Sequence, residues 1–385
     1  MPKKKSKNKK TKKNRGSAIL LTIVIILVVV LAAGAVLAFL EFRSYSGYSI
    51  TESTELSSSS GTAELFEYGD GYILCSTDGV TYFSKSGVIW ADSLELSDPI
   101  TDTCGDYIAV CDSEGSEVYI YNSEGFVSSV STNYALLDVE ISDAGVVAMA
   151  TNSSSSNYIE LKDRDGNDLV TAKSVFSSSG YLVDIALSDD GTKLAAAFVY
   201  TADGALESKV LFYDFSDSSD SDDVLVGGFN QYTNTLLTNV IFLSETTVCA
   251  VGDNALTFYD FSETPEIISE SLELEWQLQS LYVQNDRLLL IALDETGSNS
   301  YTGYVYDSSG TAIAAVSLDS VLDCAVLAGR NIVLYSSSEF SMYSFNGQKR
   351  ISASFDESVS ALICAGSRSR LLYISSGTAE FIRLG

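Results

Sequence analysis

From about residue 60 onward, short apolar runs rich in Val, Ile, Tyr and Phe alternate with clusters of Gly, Asp, Asn and Ser. Runs of this length, broken by residues that favour turns, predict strands and hairpins and leave almost no room for helices. One phrase recurs: "LSDDGTKLAAAF" at 187–198 and "ISDAGVVAMA" at 141–150 each read as strand, acidic turn, strand. The best-formed copy of the larger unit is 98–131, where four runs are separated by Gly105-Asp106, Ser113-Glu114-Gly115 and Asn122-Ser123-Glu124-Gly125. Similar units lie at 64–96 and 137–173. Weaker ones start near Leu182, at "NVIFL", near Trp276 and at "VLDCAVL". Their third runs share an aromatic alternation ("VYIYN", "LFYDF", "TFYDF", "YVYDS", "MYSFN"), and a period of two packs one face of each small sheet. Four-stranded antiparallel units repeating every 40–45 residues or so are the pattern of propeller blades. The expectation is an all-β, eight-bladed β-propeller, with seven blades or a double β-sandwich as alternatives. The last unit, 358–385, has three runs, and "YSITESTEL" at 48–56 is the candidate fourth strand that latches the ring.

Before the repeats, Ala18 to Leu40 is apolar apart from Thr22. As a helix these 23 residues extend roughly 34 Å, enough for a bilayer core of about 30 Å. Residues 1–16 carry eight Lys and one Arg with no acid, which places the N-terminus on the cytoplasmic side and the remainder outside the cell. The expected layout is a basic cytoplasmic tail at 1–17 and a transmembrane helix at 18–40. A stalk with a blade-closing strand follows at 41–60, then an extracellular propeller at 61–385. A signal peptide cleaved near Ala33-Gly34-Ala35 is the alternative, although the apolar run is longer than the usual signal core.

Charge and residue inventory narrow the chemistry. After residue 40 the chain holds 14 Lys and Arg against 51 Asp and Glu, a balance of −37. This repels nucleic acid and favours cationic proteins or counter-ions such as Ca²⁺. The chain has no His, which removes His-based nucleophilic triads. None of the six cysteines forms a CxxC or other zinc spacing; an even count permits disulfides, and most read as buried small hydrophobes. The one metal candidate is the turn Asp163, Asp165, Asn167 and Asp168, whose alternating oxygens around Gly166 suit Ca²⁺. The competing reading is an ordinary hairpin turn. "DFSDSSDSDD" at 214–223 reads as a solvated insertion, and Trp90 and Trp276 as a sugar platform or as packing between blades. No catalytic residue and no cofactor beyond possible Ca²⁺ is expected.

The phrases "YSGYSITESTELSSSSGTAELFEYGDGYILCSTDGV", "DPITDTCGDYIAVCDSEGSEVYIYNSEG", "DVEISDAGVVAMATN…NYIELKDRDGNDL" and "VDIALSDDGTKLAAAFV" occur in an order that resembles an uncharacterised family of bacterial single-pass membrane proteins with an outward propeller. The rhythm is also similar to quinoprotein-like and YVTN-type propellers, without the Trp-rich docking motif that a quinone would need. The resemblance implies fold and topology and transfers no catalytic motif. The functional expectation is a membrane-anchored binding or scaffolding module at the bacterial cell surface with a protein partner in the envelope. One alternative is an envelope glycan hydrolase or lyase using Asp and Glu at the propeller mouth; another is an ectodomain that senses a ligand for a partner membrane protein. Acids converging with aromatics at one channel mouth would point to the enzyme, and a Ser- and Gly-lined mouth to the scaffold.

Overall fold

The computed structural model describes residues 14–56, 63–216, 224–272, 274–284, 286–294 and 300–385. The basic tail up to residue 13 and most of the acidic insertion, 217–223, lie outside the described residues. The chain divides into two compact units, 1–45 and 46–385.

In the first unit a single helix spans Asn14–Phe42. Its described side chains run from Ile19 to Ala32, with Gly34 and Phe42, so part of the apolar segment 18–40 lies outside them. Among the described residues no helix is long and apolar enough to cross a membrane.

The second unit is an eight-bladed β-propeller, each blade a four-stranded antiparallel sheet. Seven blades follow the chain in simple order, over 63–93, 99–131, 135–175, 181–233, 237–271, 276–318 and 324–354. The first strand of each blade is innermost: Ala63–Tyr68, Pro99–Cys104, Ala135–Ile141, Tyr181–Leu187, Leu237–Phe242, Trp276–Val283 and Cys324–Leu327. The eighth blade takes three strands from the C-terminus, Val359–Ser367, Arg370–Ser375 and Thr378–Leu384. Its fourth is the N-terminal strand Tyr48–Glu55, which pairs antiparallel with Thr378–Leu384. The segment 41–60 therefore supplies the closing strand, and residues 57–60 lie outside the described region.

Sheets stack face to face because a lone four-stranded sheet leaves both apolar faces wet. Between the third and fourth blades, Ala148, Ala150, Ile159 and Leu161 meet Leu182, Ile185, Leu194 and Phe198. The seam between the eighth and first blades is built like the others: Tyr72, Leu74 and Phe83 pack on Ala361, Ile363, Leu372 and Phe381, with Leu56 beside them. All six cysteines are free thiols; Cys75, Cys111, Cys249 and Cys364 are buried, Cys104 and Cys324 partly so.

Candidate functional site: an acid-lined central channel

The inner strand of each blade pairs on one side only, so its other edge presents backbone N–H groups that need partners. Side chains of the neighbouring inner strand supply several. Asp102 Oδ2 accepts from the Ile141 N–H at 2.7 Å, Asp138 Oδ2 from Ile185 at 3.3 Å, Glu140 Oε2 from Leu187 at 3.4 Å, and Asp184 Oδ2 from Val240 at 2.7 Å. Gln284 Oε1 accepts from Leu327 at 2.8 Å, and Glu67 Oε1 from Gly366 at 3.1 Å. Polar side chains thus tie one blade to the next around much of the axis.

A β-bulge positions two of these acids. The ladder slips between Leu136 and Asp138, and again between Leu182 and Asp184. The same slip occurs between Leu237 and Asn239 and between Leu278 and Ser280. A bulge re-aims the side chain that follows it, and here it sets Asp138, Asp184 and Asn239 at equivalent places in three successive blades. Asp138 and Asp184 share a hydrogen bond, and Asp184 also bonds the Asn239 side chain.

The acids border a cavity of about 480 Å³, with Asp102, Asp138, Glu140, Asp184, Asn239 and Phe242 in its lining and no Lys or Arg among the described lining residues. A second cavity of about 490 Å³ shares Thr103, Leu281, Val283 and Gln284 with it, and is lined mainly by apolar side chains, Leu65, Phe66, Tyr282, Val326 and Ile363 among them. The channel is therefore acidic on the side of the second to fourth blades and largely apolar opposite.

Burial raises the proton affinity of the whole group. Asp102 is pushed up to about 6 by desolvation and the charges of Asp138 and Asp189, against the pull of the Ile141 and Thr103 amides. Glu140 is raised well above the usual carboxylate range by burial and then by the charges of Asp102, Asp138 and Asp184. Asp184 is raised by burial and by Asp138, and Asp138 itself by burial. Neighbouring acids in one buried group raise proton affinity beyond what burial alone does.

The turn considered for Ca²⁺ lies elsewhere, at the last hairpin of the third blade. Asp163 Oδ1 accepts from the backbone N–H groups of Asp165 and Asn167, and Oδ2 from the Asn167 amide. These donors, the Asn167 side chain first, hold Asp163 below the usual carboxylate range. Asp168 instead pairs with Lys162 at 3.0 Å. The turn brings Asp163 and Asn167 together as a hairpin and directs Asp168 away. Among the described residues no group of three Cys, Asp or Glu is placed to hold a metal ion. Trp90 stacks on Tyr121 of the next blade at 5.4 Å and donates to the Ser123 carbonyl, and Trp276 stacks on Tyr304 within its own blade.

The channel acids are the functional candidates that the turn-centred sequence reading passes over. Their signal is an Asp inside an apolar inner strand, as in "LLDVEI" and "LVDIAL".

No curated protein matches this chain. Among solved structures it is similar to a computationally designed protein, Ika8, at 12% identity and a TM-score of 0.54, covering 86% of this chain and 99% of that one. It is also similar to Saccharomyces cerevisiae Sqt1 at 8% identity and a TM-score of 0.54, covering 88% and 98%. At such identities the likeness concerns fold alone. A family model matches residues 41–384, nearly the whole ring together with its closing strand, and the chain belongs to that family of unknown function, DUF5711.

Proposed function

We propose that this protein is a membrane-anchored binding propeller of the bacterial cell surface. The apolar segment 18–40 is its single membrane span, the basic tail lies in the cytoplasm and the ring lies outside. Its ligand is a cationic segment of an envelope protein that enters the acidic side of the channel. The observation that carries this reading is the arrangement of Asp102, Asp138, Glu140 and Asp184 around one cavity without a basic counterpart in its described lining. Each of these carboxylates also bonds a backbone N–H of the next blade. That bonding holds the four side chains in place around the cavity.

A second reading, an envelope glycan hydrolase or lyase, is favoured by the convergence of these acids with Phe242 at one cavity, the pattern expected of an enzyme. The raised proton affinity of Glu140 and Asp184 favours it too. Against it, Glu140 and Asp184 each already accept from a backbone N–H of the next blade.

The test is crosslinking in native cells with the full chain and with Asp138→Asn/Asp184→Asn. A partner with a basic contact segment, lost in the double variant, supports the binding reading. Shortened glycan products that require Glu140 would replace it with the enzyme.

A further inference from the structure

At the seam between the eighth and first blades the propeller reverses its acidic character. Arg370 and Arg383 stand directly opposite one another on adjacent strands. Like charges placed so are destabilising unless something lies between them. Both line a cavity of about 70 Å³ together with Lys85, which comes from the last hairpin of the first blade, and Thr51, Glu52 and Phe381. Lys85 lies over the Phe381 ring, 5.4 Å from its centroid, with its side chain 39% exposed. Among the described lining residues the only carboxylate is Glu52, 3.9 Å from Lys85. Three cations against one acid leave this cavity positive. The cavity sits beside the bulge of the closing strand, where the ladder slips between Ile50 and Glu52 and the Thr51 hydroxyl donates to the Phe381 carbonyl.

We propose that this seam is a binding site for a phosphate group, held by Lys85, Arg370 and Arg383. Two guanidinium groups side by side match the oxygens of a phosphate in a fork geometry, and a Lys adds a third donor. A phosphate here turns the repulsion between Arg370 and Arg383 into two attractions. It also joins the first blade to the eighth beside the strand that closes the ring. The large negative charge of the ectodomain does not prevent this, because exposed charges beyond about 8 Å are largely screened at physiological salt. Inorganic phosphate and a phospholipid headgroup offer the same chemistry.

The test uses the full chain in a neutral detergent and follows its thermal midpoint with inorganic phosphate or with chloride at matched ionic strength. Phosphate should raise the midpoint by about 2 °C beyond chloride at saturation. In Arg370→Gln/Arg383→Gln the phosphate increment should vanish, while the phosphate-free midpoint rises above that of the parent. Lys85→Gln, a turn substitution outside the ladder of the eighth blade, should weaken the increment and serves if the double variant does not fold. Nanodiscs of phosphatidylcholine with and without phosphatidylglycerol separate the sources. Added stability only with phosphatidylglycerol, lost in the double variant, identifies a lipid headgroup; a response to free phosphate alone identifies a soluble one. Equal effects of phosphate and chloride together with no added stability from phosphatidylglycerol, or an increment that survives in both variants, would overturn the proposal.

Discussion

Two kinds of carboxylate coexist in this chain, and the difference lies in what each one touches. Turn acids cap their own hairpins: Asp190 accepts from Ser188 and Thr192, and Asp307 from Ser309 and Thr311. Both are held below the usual carboxylate range, with burial opposing at Asp190 and the Ser309 hydroxyl leading at Asp307. Channel acids are raised instead, and the consequence for stability has a definite sign. Between the ordinary carboxylate range near pH 4 and their raised native values, the folded chain binds more protons than the unfolded one, so stability falls as pH rises. For Asp102 that window closes near pH 6; for Glu140 and Asp184 it extends higher. The urea midpoint should therefore be higher at pH 5.5 than at pH 8, and Asp138→Asn/Asp184→Asn should flatten the difference. A parent midpoint that rises over this interval would contradict the assignment.

Two glycines and the thiols add checks at the same scale. Gly79 and Gly87 adopt φ of 131° and 132° in the first blade. A Cβ at Gly79 would overlap the Asp92 carbonyl oxygen, whereas nothing lies within 4 Å of one at Gly87. Gly87→Ala should cost backbone strain alone, about 1–3 kcal/mol. Gly79→Ala should cost about 2 kcal/mol more, as chemical denaturation would measure. Burial pushes the thiols of Cys75 and Cys111 up to about 12. Alkylation at pH 8 should spare both until the protein is denatured.

At the scale of elements, much of the ring could be read from the chain. Turn pairs such as Gly105-Asp106 and Ser123-Glu124 fall between strands of the second blade as their chemistry requires, and the aromatic alternation marks the third strands. The missing strand of the last blade was legible because "YSITESTEL" had no other sheet to join, and its pairing runs from Tyr48↔Leu384 to Glu55↔Thr378. The channel site was hidden for a physical reason. Leu137 and Val183 are extra residues in bulges, so Asp138 and Asp184 fall out of step with the alternation that sorts core from surface. Their partners are backbone amides 47 and 56 residues away, which only the stacking of consecutive blades brings near. The basic seam was equally hidden, since Lys85 and Arg370 are neighbours only across the closed ring. Removing residues 46–56 should expose the Thr378–Leu384 edge, lower the thermal midpoint and promote self-association, seen by light scattering. A monomer of unchanged midpoint would show that the closing strand is dispensable.

Taken whole, the propeller is an acidic ring whose interior is uneven: carboxylates on one side of the channel, apolar side chains on the other, and a cationic seam where the eighth blade meets the first. Function in such folds lies in the site and not in the architecture, and the acidic side of the channel is the site with the clearest chemical preference. The most direct test is to titrate the full chain in uncharged nanodiscs with a lysine hexapeptide and with a glutamate hexapeptide, beside Asp102→Asn/Asp138→Asn/Asp184→Asn. The account predicts saturable binding of the lysine peptide alone, weakened by salt and at least about tenfold weaker in the triple variant, a loss of about 1.4 kcal/mol. Equal binding by the parent and a folded triple variant, or no binding by the parent, would contradict it.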